Sequence, residues 1–156
     1  MAKHRGFANA EAHDNFIVEK WNATVHKRDL TYILGDVTME KADYAILDRL
    51  NGRKHVVLGN HDKLQHVRKL LDHVDGVAGM VQYKGIFLTH CPIHPMEMDY
   101  RVQHNIHGHI HEKLVERDIT MFGRVIFKRV DRRYICVSCE QVNYTPKTLA
   151  ELGINR

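Results

Sequence analysis

In residues 11–25 the apolar side chains Ile17, Trp21 and Val25 recur at helical spacing, with Phe16 and Val18 beside them. That spacing gathers them on one face and predicts an amphipathic helix, with Asn9 placed to cap its start. The run LTYIL, residues 30–34, is short, apolar and rich in strand-forming residues, and it ends in Gly35-Asp36. Ala42, Ala45, Ile46 and Leu50 predict a second helix, closed by Asn51-Gly52. The next run, HVVL at 55–58, leads into Gly59-Asn60-His61-Asp62. Strand, helix and strand within about thirty residues form a βαβ unit, whose strands are parallel and whose connection is right-handed. Both polar clusters then leave the sheet at the same edge.

Downstream, residues 64–71 predict a third helix, and the alternating stretches VAGMVQY and GIFLTH predict a hairpin about Lys84-Gly85. Residues 119–130 alternate in the same way about Gly123 and predict another hairpin. YICVSC reads as a strand, and Thr148 with Glu151 has capping-box spacing, which predicts a last short helix.

Composition narrows the class. A chain of 156 residues, 44% hydrophobic and 27% charged, is long enough to bury a core, and with no linker or repeat it is expected to form a single domain, 1–156. No apolar run reaches membrane-spanning length and the start carries no secretion pattern, so a cytoplasmic location is expected, with no membrane partner. Three cysteines make no disulfide framework, and Cys136 and Cys139 form a lone CxxC better explained by the strand than by zinc or redox chemistry. The net charge of +4 mildly favours anionic partners, but the basic clusters RKHVVL, KLQHVRKLL and FKRVDRR are short and separated by acids, which reads as a solvated face.

The chemistry-bearing residues cluster at the ends of the expected strands. Asp36 follows the first, Asn60 and His61 the second, His90 follows GIFLT, and NIHGHIHEK brings His107, His109 and His111. Carboxylate, amide oxygen and imidazole donors suit Mn, Fe, Zn or Ni, as one or two divalent ions. Open α/β sheets place their sites at the carboxyl ends of strands, where these residues fall.

Gly35-Asp36, Gly59-Asn60-His61-Asp62, Thr89-His90 and Gly108-His109-Ile110-His111 occur in the order of the motifs GD, GNH[DE], a lone His after a strand, and GHxH. In this the chain resembles the calcineurin-like metallophosphoesterases, of the small single-domain bacterial or phage type. CVSCEQVNYTPKTLAEL resembles the tail of such members. The resemblance implies an α/β fold in which a two-sheet β-sandwich is flanked by helices, and hydrolysis of a phosphoester, more specifically a phosphodiester, by metal-activated water. It implies Asp36 bridging two ions, Asn60, His90 and His109 completing one metal site, His111 contributing to the other, and His61 facing the phosphate. Asp62 is grouped with His61 at the catalytic position, to orient it, to support a ligand, or to cap a helix. His107 is expected to be scaffolding, Gly108 to let backbone approach the ions, and Cys91 to be a small buried residue.

The family pattern opens with a strand ending in Asp-x-His, and this sequence has no such motif. The resemblance therefore implies a fold missing its first strand, with substitution by His4 or His94, a single metal, or a longer gene product as the competing explanations. Local rearrangement, lower stability or homo-oligomerisation is expected to follow from the exposed strand edges. The expected partner is a small phosphoester or nucleotide-like substrate. Two alternatives stand beside it: a degenerate relative that binds metal or phosphate with little turnover, and a nuclease-type phosphodiesterase acting on nucleic acid.

Overall fold

The computed structural model describes residues 5–38, 42–98 and 101–155. It is a mixed α/β protein with few helices. Helix α1 (Ala10–Asn22) starts where Asn9 caps it, the Asn9 side chain accepting the Ala12 amide at 2.8 Å. One sheet is parallel, with order β1-β2-β3, from β1 (Leu30–Ile33), β2 (Arg53–Val57) and β3 (Gly76–Ala78). The second has order β4-β5-β6-β9, from β4 (Val81–Tyr83), β5 (Ile86–Thr89), β6 (His104–His107) and β9 (Tyr134–Cys136). Here β4 and β5 form the hairpin expected about Lys84-Gly85, while β5, β6 and β9 run parallel. A separate two-stranded ribbon, β7 (Glu116–Met121) and β8 (Arg124–Val130), turns at Phe122-Gly123.

The alternation along each strand assigns the layers. Val57 of β2 packs with Ile86 and Leu88 of β5 and Ile106 of β6, joined by Tyr32, Leu34 and Ile135, so this cluster lies between the two sheets. Val56 faces the other way, into a cluster with Trp21, Val25, Tyr44, Leu47, Leu50 and Leu70 that covers the outer side of the parallel sheet. Phe87, Met98, Val102 and Tyr134 cover the far side of the second sheet. Adjacent residues serving opposite faces is what the two-residue strand period requires.

Three helix expectations change. The segment after residue 42 is a short 3-10 turn, Ala45–Arg49, because its buried residues Tyr44, Leu47 and Leu50 repeat every three positions, the period of that tighter coil. The third helix shrinks to a 3-10 turn, Leu64–His66, followed by α2 (Val67–Leu71), with Leu64 left exposed. At the C-terminal end the capping box forms, since Thr148 N donates to Glu151 Oε2 at 2.9 Å and Glu151 N to Thr148 Oγ1 at 3.3 Å. Yet Gly153, at φ +79, closes the coil after a single turn, with Ile154 N reaching back to Leu149 O at 2.9 Å.

Among the described residues no helix is long and apolar enough to cross a membrane.

Candidate metal centre

Strands β1, β2, β5 and β6 deliver their C-terminal residues to one edge, and the backbone there is built for close approach. Gly35 sits at φ +86, and a Cβ on it would lie 2.6 Å from both Gly59 N and His90 Nδ1. Only glycine lets these segments meet. Asp36 follows at φ 53, a conformation that aspartate tolerates better than most side chains.

Beneath the loops lies Asp62, buried, with its carboxylate accepting the amides of Asp36 at 2.8 Å, Gly59 at 2.9 Å and Val37 at 3.1 Å. It ties the loop after β1 to the loop after β2. The structure thus places Asp62 as a backbone clamp under the site, with both carboxylate oxygens committed to amides.

Above it, side chains from these two loops and from the loop after β6 converge on His90 Nε2. Asn60 Oδ1 is 2.9 Å away, His109 Nδ1 3.1 Å and Asp36 Oδ2 3.3 Å. His90 Nδ1 is 2.7 Å from the Leu34 carbonyl, a contact that requires the proton on Nδ1. In the neutral ring Nε2 then carries a lone pair, turned towards an amide oxygen, a carboxylate and a second imidazole nitrogen. Such a gathering of acceptors is what a cation organises. The spacings agree, since ligands about 2.1 Å from a common ion stand roughly 3.0 to 3.4 Å apart. Cys91 is the surprise: it is exposed rather than buried, because it lies just past the end of β5, and its thiol can join His90 and His109 in a group whose donor atoms all lie within 4.8 Å of one another. Partial desolvation by the surrounding loops first, and then the Asp36 carboxylate, push that thiol up from its ordinary pKa.

His61 donates its amide to Asp36 Oδ1 at 2.9 Å and leaves its side chain exposed at the mouth of the site. His111 goes elsewhere. It sits at φ 53, with Nδ1 3.4 Å from Glu140 Oε1, and Glu140 also accepts from Arg5 Nε at 2.9 Å. Arg5, His109, His111, Lys113, Glu140 and Tyr144 line a recess of about 650 Å³ beside the cluster. Burial works to raise the Glu140 carboxyl, but backbone hydrogen bonding, Arg5 and His111 outweigh it and hold it below the usual range. Sequence reasoning did not single out Arg5 and Glu140, which are 135 positions apart; their only individual signal is one charge each within KHRGF and CEQVNY.

His107 is buried, with Nδ1 2.9 Å from the Gly108 carbonyl, and burial lowers its pKa, so it stays neutral within the sheet. Gly108 passes close to Leu34 O, which a Cβ would approach to 3.4 Å. His94 accepts the Met96 amide at 3.3 Å, and His4 lies outside the described residues. Cys139 is a half-buried thiol whose pKa is raised chiefly by its desolvation, and Cys136 belongs to β9.

Fold and site together define a mixed α/β protein with a histidine-rich group, His90, Cys91 and His109, able to hold a metal ion. No family model matches the chain. An uncharacterized protein of Methanocaldococcus jannaschii is 29% identical over 153 residues, covering 94% of this chain and 76% of that protein. The Gene 66 protein of Mycobacterium phage D29 is 28% identical over 153 residues, covering 77% of this chain and 76% of its own length. Among solved structures, a protein of unknown function from Aquifex aeolicus shares the fold, with a TM-score of 0.64 and 24% identity over 97% of this chain and 89% of that one.

Proposed function

We propose that this chain is a divalent-metal-dependent phosphoesterase of the calcineurin-like type, hydrolysing a phosphodiester with metal-activated water. The observation that carries the reading is the meeting of Asp36 Oδ2, Asn60 Oδ1 and His109 Nδ1 around His90 Nε2 at the carboxyl edge of the strands. Two sheets packed face to face, with helices outside the parallel one, support the calcineurin-like sandwich.

The four donors would hold one cation, which when bound supplies Lewis acidity for a phosphoryl group and acidifies water at the site. Asp62 keeps the loops after β1 and β2 in register so that Asp36 and Asn60 stay aimed at that point. Asp36 Oδ1 pins the His61 amide, leaving the imidazole free at the mouth to donate a proton to the leaving oxygen. The pairing of His111 with Glu140 favours one tightly held ion over two.

The test is hydrolysis of bis-p-nitrophenyl phosphate with Mn²⁺ or Ni²⁺, with Asp36→Asn and His61→Ala as controls. A metal-dependent rate that both variants lose is expected, with elemental analysis giving one ion per chain. A rate no higher than that of the variants would remove the hydrolase reading.

A further inference from the structure

The β7–β8 ribbon stands apart from both sheets, with every residue of β8 exposed. Its register sorts the side chains into two unlike faces, since residues directly opposite one another share a face. On one, Asp118 stands opposite Lys128 and Glu116 opposite Val130, a surface with two acids and one base. On the other, Arg117 stands opposite Arg129, and Ile119 opposite Phe127.

Like charges placed directly across a ladder destabilise it, and a free-standing two-stranded ribbon has little stability to spare. A second oddity lies at the tip. Phe122 occupies the left-handed region at φ 51, where glycine or asparagine belongs, and is 96% exposed. The exposed ring at the tip does not serve folding, and of the two arginines only Arg117 has a charge partner among the described residues, the buried Asp131 carboxylate. Both features suit a partner that brings negative charge to the arginines and flat surfaces to the aromatic rings.

We propose that this ribbon is a docking arm for a nucleic-acid strand, with Arg117 and Arg129 on its backbone phosphates and Phe127 and Phe122 as stacking platforms for bases. Charge complementarity selects this occupant over a second copy of the chain. Joining two such faces would crowd four arginines together, because the ribbon's exposed acids, Glu116 and Asp118, lie on the opposite face. Position adds to the argument: β7 begins five residues after His111, which lines the recess beside the candidate metal centre. The sequence shows FKRVDRR as a short basic cluster; only the register shows that Arg129 shares a face with Arg117 and Phe127.

The experiment is fluorescence anisotropy of a labelled oligothymidylate with the full chain, in a metal chelator, so that binding is read without hydrolysis and independently of the phosphoesterase reading. Binding that weakens steeply with salt is expected. Arg117→Gln/Arg129→Gln should weaken it at least tenfold and flatten the slope of log affinity against log salt by about 1.4. Phe127→Ala should cost about tenfold, while Lys128→Gln, on the acid-bearing face, should cost less than threefold. Arg129→Gln alone should unfold at a slightly higher temperature than the wild type, since the repulsion is removed while Arg117 keeps its attraction to Asp131; a lower temperature would assign that arginine a structural role and overturn the proposal. It is equally overturned by wild-type affinity in the double variant, by no binding at low salt, by binding to phosphatidylserine vesicles but not to the oligonucleotide, or by a ribbon-dependent dimer that binds no strand.

Discussion

The buried carboxylate of Asp62 accepts the backbone amide of Asp36 at 2.8 Å, across 26 positions of sequence. One side chain thereby fixes the loop that carries a candidate ligand, and it does so without aiming at the ligand cluster itself. Asp62→Ala removes the acceptor of three amides, of Asp36, Val37 and Gly59. Each amide left without a partner costs about 1 kcal/mol or more, so a loss of about 3 kcal/mol is expected in urea unfolding, with weakened metal binding. Asp62→Asn, which keeps the size but offers one acceptor oxygen, should fall between.

Gly35→Ala tests the close approach of the loops. Its Cβ would lie 2.6 Å from Gly59 N and from His90 Nδ1, at a φ of +86. Strain of this kind costs on the order of 1–3 kcal/mol, and the backbone shift that relieves it moves both Asp36 and His90. Isothermal titration with Mn²⁺ should show affinity falling at least tenfold, while Gly123→Ala, in the remote ribbon, leaves it unchanged.

The two buried histidines should separate cleanly. His90→Ala deletes the nitrogen on which Asn60, His109 and Asp36 converge, and elemental analysis should find the metal gone. His107→Ala empties a packed position next to Tyr134, so its loss appears in thermal stability, at about 2–4 kcal/mol, with metal stoichiometry retained.

Stability in acid should depend on Asp131. A hydrogen bond from Arg133 is the main cause holding its carboxyl below the ordinary value of 3.8, against the opposing effect of burial. A group depressed in the folded state stabilises the protein above its unfolded pKa and loses that contribution as pH falls through the folded one. Asp131→Asn should therefore lower stability at neutral pH and show a shallower decline below about pH 4 than the wild type. Denaturant midpoints measured across that range check it.

Cys91 offers a label for the site. Its thiol shares a group with His90 and His109, with all donor atoms within 4.8 Å. Zn²⁺ should slow its alkylation by iodoacetamide severalfold, as a soft ion recruits sulfur, whereas Mg²⁺ should not. Equal rates with both ions would separate Cys91 from the metal.

Elements with a strong local signal were legible in the sequence: α1 through its apolar spacing and the Asn9 cap, β1 and β2 through short apolar runs, and both hairpins through their alternation and turns. The coil after residue 42 was misjudged because periods of three and three and a half cannot be told apart over one turn. The meeting of Asp36, Asn60, His90 and His109 was expected from their places at strand ends. The pairing of His111 with Glu140 was not, since nothing near either residue encodes a partner so far along the chain.

The sequence by itself determined which residues carry donor atoms and on which local elements they sit, because helix and strand periods and turn chemistry act over a few neighbouring positions. Tertiary structure alone decided which donors share a centre, which carboxylate clamps loops and which face of the ribbon is basic. Those outcomes depend on sheet order, register and burial, quantities set by contacts between segments that no short stretch of chain contains.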